Sequence, residues 1–283
     1  MSKEYILSKQ INWAKRQGLK LYGSEINNGE KTYVINLENN LFQKMCAQTK
    51  QQFLNGDGNE ITDSGKSLAK MKALHSSSSI TVNIFLYWKK KDLDSLLKSL
   101  KLTRKKTNVK KEMIFESKQP ISKEYKRPPN LDLVIKTEDN KIFAIESKFT
   151  EPFSTYEKKG IYIKYINHQK LWNGIPNTYE LAKKLCPENK EYKYLDASQL
   201  IKHILGLKNN YGKSKFKLLY LYYDAFSKEA YEHKKEIENF SEIVKKDNIK
   251  FYSMSYQELI IDLSKNYREN NEKYINYITE RYL

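Results

Sequence analysis

Apolar positions recur along this chain with two periods, and the change from one to the other marks out its elements. Phe42, Met45, Cys46, Thr49 and Phe53 fall on one face at 3.6 residues per turn, which predicts an amphipathic helix over 41–54. An earlier helical stretch is predicted near 6–16, and Gly56, Gly58 and Gly65 punctuate a loop. Over 75–88 the residues leave two readings open: Ile80, Thr81 and Val82 favour strand, whereas Ser76–Ser79 suit a helix start. Leu93, Leu96, Leu97 and Leu100 give another helical stripe within 89–104. The period then drops to two, and Pro129–Ile135 and Ile142–Phe149 read as strands.

Beyond them, 150–191 carries Pro152, Gly160, Gly174, Pro176 and Pro187 and reads as a loop-rich insertion with a short helix near 179–185. A helix is predicted over 195–207 and a buried strand over 216–223, which is almost wholly apolar. A helix through Ala230, Ile237, Phe240 and Val244, a strand over 249–254 and two further amphipathic helices complete the chain. This alternation predicts a mixed α/β core with both faces covered.

Each of the two central strands places a carboxylate in an apolar alternation, where an unpaired charge is costly to bury. Asp132 lies on the first; Glu146 and Lys148, two apart, share one face of the second. Register decides whether the acids meet. A two-residue loop at Asp139-Asn140 puts them on opposite faces. A three-residue loop, Glu138-Asp139-Asn140, places them directly opposite, and Asn140 suits the left-handed position that ends such loops. The odd loop is expected. Two facing acids roughly 5 Å apart at the backbone repel unless a cation lies between them. Magnesium, with manganese able to substitute, takes oxygen ligands and keeps waters for chemistry. Beside it, Lys148 would neutralise a phosphate or help deprotonate an attacking water.

Composition points the same way. There are 51 Lys plus Arg against 34 Asp plus Glu, a net charge of +17 that favours polyanions. Basic runs, among them Lys126-Arg127, lead up to the acidic strands, and tyrosines interleave them, as in Tyr162-Ile163-Lys164-Tyr165, where rings can stack on bases. Cys46 and Cys186 have no paired spacing, so neither a disulfide framework nor a zinc site is indicated. No apolar run approaches the roughly 20 residues of a bilayer span, and the first residues lack the apolar stretch of a secretory signal. The expected location is cytoplasmic, with no membrane partner.

With Asp132, Glu146 and Lys148 in place, the sequence resembles the PD-(D/E)xK nuclease superfamily, the restriction-endonuclease-like fold. Further pieces of the likeness are Gly56–Glu60, His75-Ser76-Ser77, Val82–Phe85, Asn130-Leu131-Asp132, Ile145–Pro152 and Gln199–His203, an ordered series covering roughly 55–225. The resemblance implies a core of helix, three strands, helix and strand; the chain as a whole is expected to form a single domain spanning 1–283, with 1–74 a helical N-terminal extension and a helical C-terminal addition. It also implies magnesium held by Asp132, Glu146 and the carbonyl of Ser147. An extra acid is often added in that superfamily; Glu60 is the first candidate and Glu116 the second. Many members carry a glutamine and a tyrosine four apart on the following helix; here Gln199 is followed by His203. Gln199, Lys202 and His203 share a stripe, from which Gln199 would orient a water and Lys202, with Lys126 and Arg127, would bind phosphate.

The expected function is thus a magnesium-dependent endonuclease acting on double-stranded DNA, serving restriction or phage defence, with a homodimer a natural way to cut both strands. Two alternatives stand: a basic nucleic-acid-binding protein whose hairpin acids are structural, and a nuclease acting on RNA or branched DNA. His75, His168 and His233 show no ligand spacing, and no P-loop sequence is present.

Overall fold

The two acid-bearing strands pair through the odd turn. In the computed structural model, which describes residues 2–56, 58–107, 109–154 and 157–283, β2 (Asn130–Thr137) and β3 (Ile142–Lys148) run antiparallel with Lys136 opposite Ile142 and Leu133 opposite Ile145. The Thr137 N–H donates to the Lys141 carbonyl at 3.0 Å, the Thr137 Oγ1 accepts the Lys141 N–H at 2.9 Å, and Asn140 takes φ +59°. The three residues between are thereby fixed as the loop.

In front of β2 lies β1 (Lys111–Lys118), and beyond β3 come β4 (Phe216–Tyr222) and β5 (Phe251–Ser255). The sheet order is β1-β2-β3-β4-β5, antiparallel over the first three strands and parallel from β3 onward. The helices are α1 (Ser2–Arg16), α2 (Ala47–Leu54), α3 (Ser77–Phe85), α4 (Leu93–Ser99), α5 (Ile163–Asn167), α6 (Pro176–Lys184), α7 (Ala197–Tyr211), α8 (Lys228–Lys246), α9 (Tyr256–Tyr267) and α10 (Glu272–Tyr282). One sheet face buries Phe115, Leu133, Ile145 and Leu221 among residues of α3, α4, α9 and α10; the other buries Val134, Ala144 and Leu218 against α6, α7 and α8. No helix among the described residues is long and apolar enough to cross a membrane.

Differences from the sequence expectations have local causes. The helix expected over 41–54 begins only at Ala47, because Asn83 of α3 takes the backbone upstream: its Oδ1 accepts the Phe42 N–H at 2.7 Å and its Nδ2 donates to the Asn40 carbonyl at 3.0 Å. The helix expected within 89–104 contracts to α4, started by Asp92, whose carboxylate accepts the Asp94 and Ser95 N–H groups, and followed by Lys101 at φ +55°. Strand β1 was not read as a strand from its own residues, since only Met113 and Phe115 of its lysine-flanked run enter the core. Along it lies α2, whose Gln52 Oε1 accepts the Phe115 N–H at 3.1 Å. Residues 2–74 hold α1, α2 and two short 3-10 turns, Leu37–Asn40 and Lys70–Lys72, in otherwise irregular chain.

Helix α7 carries the residues that reach the sheet, and it is held firmly. Asp196 caps its start through the Gln199 N–H, and Leu200, Ile201, Ile204 and Leu205 are buried, each side chain contributing about 1.5–3 kcal/mol. Gly206 passes so near Gln119 that a Cβ would lie 2.5 Å from its carbonyl oxygen. Gly206→Ala is therefore expected to cost about 1–3 kcal/mol by forcing helix and chain apart. A lowered urea midpoint at unchanged slope checks this, and an unaltered midpoint contradicts it.

Candidate active site

The ladder between β2 and β3 stops at Leu133–Ile145, one step before Asp132 and Glu146. These two therefore stand at opposing positions where the strands part. Here the Ser147 N–H, which points toward β2, finds Asp132 Oδ2 at 2.6 Å instead of a strand carbonyl. A strand residue's N–H and C=O leave on the same side, so the Ser147 carbonyl faces the same gap. Its hydroxyl is anchored on the opposite face by the Tyr256 hydroxyl at 2.6 Å.

Glu146 is buried, with Lys148 at one carboxylate oxygen and His203 at the other. Lys148 Nζ donates to Oε1 at 2.6 Å, and His203 Nε2 of α7 lies 3.0 Å from Oε2. The latter approach is not aligned as a hydrogen bond, so its effect is electrostatic. Burial raises the Glu146 carboxyl, but Lys148 and then His203 outweigh it and draw the pKa down to about 2. Asp132 is the reverse: burial, reinforced by the Glu146 carboxylate, pushes its carboxyl well above the usual range despite Lys148. Burial also works against the Lys148 charge, yet the Glu146 and Asp132 carboxylates hold its pKa above the ordinary lysine value. The three groups form one electrostatic unit.

A further acid joins them. The β1–β2 register passes over Glu116, which has φ +51° and stands across from Asp132. Its carboxylate accepts from Asn130 Nδ2 and contributes to the raised pKa of Asp132. Gly56 comes close enough that a Cβ would sit 3.2 Å from Glu116 Oε2, so Gly56 abuts this acid; Asp57 lies outside the described residues. Glu60 lies elsewhere, in a cavity of about 510 Å³ beside His75, Glu151 and the start of α3. There it accepts from Ser78 Oγ at 2.8 Å, and burial raises its pKa. Glu151 links the two regions, since its charge acts on both Lys148 and Glu60.

Gln199 is half-buried, and no hydrogen bond among the described residues ties its side chain to Asp132, Glu146 or Lys148. Lys202 faces a cleft together with Lys126 and Arg127, so the three residues expected to bind phosphate come together. Sequence reasoning left His203 without a definite part. Leu200 and Leu207, at i−3 and i+4 on the same helical face, were the available signal that its ring turns inward.

No group of three or more His, Cys, Asp or Glu side chains converges as a metal cluster among the described residues. Two carboxylates and a backbone carbonyl nonetheless make a hard oxygen donor set of the kind magnesium uses. The facing Asp132–Glu146 pair fits such an ion, since a cation between them would offset their mutual repulsion, which adds to burial in raising Asp132.

Comparison with known proteins gives one match: the model of the family described as restriction endonuclease associating with ARP matches residues 8–283. No curated protein matches. No solved structure matches.

Proposed function

The chain belongs to the family of restriction endonucleases associating with ARP, and on that premise we propose that it is a metal-dependent endodeoxyribonuclease of the PD-(D/E)xK type, serving restriction or phage defence. The observation that carries this reading is the meeting of Asp132, Glu146 and Lys148 where β2 and β3 separate, with Lys148 2.6 Å from Glu146 and Asp132 on the Ser147 N–H. Perturbed ionisable groups gathered at a strand end are equipment for chemistry. The carboxyl ends of the parallel strands β3 and β4 open at this same edge, where ligands of α/β sheets bind.

Asp132, Glu146 and the Ser147 carbonyl would hold Mg²⁺, with Mn²⁺ as a substitute. A bound ion of this kind supplies charge for the phosphoryl transition state and a more acidic water. Lys148 and His203 already face the two oxygens of Glu146, so an ion held there would take the place of one of them. Lys148, whose side chain is 15% exposed while that of His203 is fully buried, is the one able to turn toward a phosphate. There its ammonium would act as a cation on the phosphate oxygen. Water then forms the new P–O bond as the bond to the 3′ oxygen breaks, leaving a 5′ phosphate, the polarity that the superfamily resemblance implies. Glu116 supports the site by facing Asp132. Duplex cutting needs two such sites or two successive events, and a homodimer provides the first.

Incubation of the purified protein with supercoiled plasmid tests the reading. Nicked and linear products are expected with Mg²⁺ or Mn²⁺ and none with EDTA. Plasmid that is bound but intact in the presence of metal favours a non-catalytic binding protein; cleavage confined to RNA or junction substrates moves the activity to those.

A further inference from the structure

The cleft containing Lys126, Arg127 and Lys202 has features that phosphate binding alone does not account for. It encloses about 650 Å³, and its other walls include Lys164, Tyr125, Tyr162 and Tyr165. That volume falls in the range of small-ligand sites, about 300–1,000 Å³, so it admits a nucleotide but not a duplex. None of the four cations forms an ion pair with a carboxylate among the described residues. The one acid on the rim, Glu124, is 3.4 Å from His168 Nδ1. Unneutralised cations crowded around one concavity repel each other, and a polyanion removes that cost.

The aromatic wall is already arranged for stacking. Lys164 Nζ lies 5.2, 5.7 and 5.4 Å from the ring centres of Tyr125, Tyr162 and Tyr165. The Tyr125 and Tyr165 rings are 4.6 Å apart, and the Tyr125 hydroxyl is fixed by the Lys164 carbonyl at 3.1 Å. Tyr165 is buried, whereas Tyr162 is 62% exposed and Ile163 beside it 58%, apolar surface left in water on a strongly charged face. Along the chain the cleft adjoins the candidate active site: Pro128-Pro129 run directly into β2 and Asp132, and Lys202 precedes His203 on α7.

We infer that this cleft receives an unstacked nucleobase on the Tyr162 face while its cations hold the flanking phosphates, so that the substrate is DNA with a single-stranded segment beside the scissile bond. The inference deepens the nuclease reading by naming its substrate class, but the binding it describes requires no cleavage. Stacking of a base on an exposed ring is tolerant of sequence, and the ammonium groups add a salt-dependent contribution.

Fluorescence anisotropy in EDTA, comparing a blunt duplex with the same duplex bearing an oligothymidine tail, provides the test. The tailed duplex is expected to bind about tenfold more tightly. Tyr162→Ala should abolish that preference and Tyr162→Phe should keep it. Lys202→Ala should weaken the tailed duplex more than the blunt one and reduce the salt slope of tailed binding by about one. A 2-aminopurine placed in the tail should lose fluorescence on binding to the natural chain and not to Tyr162→Ala. Equal affinity for blunt and tailed DNA, or a Tyr162→Ala effect identical on the two, overturns the inference. Because no metal is present, that outcome leaves the nuclease reading to be judged separately by plasmid cleavage.

Discussion

Asp132→Asn is expected to lower plasmid cleavage by about 10³-fold while making the metal-free protein more stable. The substitution keeps an oxygen for the Ser147 N–H but removes a carboxyl that burial and Glu146 hold in an unfavourable state. The sign follows from the direction of the shift. The folded pKa lies above the ordinary 3.8, so from about pH 4 upward the unfolded chain has released a proton that the folded chain retains. Asp132 thus costs nothing below that pH, and its penalty grows as pH rises toward the folded pKa. At neutral pH the asparagine variant should gain about 1–2 kcal/mol, read as a higher melting temperature in EDTA. The same shift means that metal must displace a proton. Apparent Mg²⁺ affinity should rise with pH, and calorimetry in buffers of different ionisation enthalpy should show proton release. A variant that cleaves normally, or is destabilised without metal, contradicts this account of Asp132.

Glu146→Gln should also abolish cleavage, with the opposite effect on stability. Glu146 neutralises Lys148 at 2.6 Å and faces His203 at 3.0 Å, and its removal strands a buried ammonium. Breaking a buried pair from one side costs about 3–5 kcal/mol. Since the folded pKa of Glu146 is drawn down to about 2 from 4.5, its stabilisation is complete above about pH 4.5 and is lost as pH falls toward 2. Chemical denaturation should therefore show the natural chain far ahead of Glu146→Gln at neutral pH, with the gap closing in acid. Two acids facing each other across the hairpin would then be separated by the sign of their stability effect, an outcome that a solvated cross-strand pair would not produce.

The parts of this arrangement legible in the sequence are those governed by local geometry. Strand alternation put Glu146 and Lys148 on one face, and the left-handed tolerance of Asn140 selected the loop that sets Asp132 across from Glu146. What local rules could not supply were meetings across long separations. The inward turn of His203 toward Glu146 depends on how α7 packs on the sheet, fixed in part by the approach of Gly206 to Gln119. Glu116 faces Asp132 only because β1 pairs with β2, and a lysine-flanked run with two core residues gives weak warning of a strand. The shortened helix before Phe53 had a remote cause too, an asparagine side chain from α3 competing for its backbone.

The outer margin of β1 has a bearing on how two copies of this chain could meet. With the outward amide of Phe115 occupied by Gln52 and the left-handed kink at Glu116 next to it, that margin offers no clean row of donors and acceptors to a neighbour. Two molecules are therefore not expected to merge their sheets side by side there, and any twofold assembly would have to be built through other surfaces.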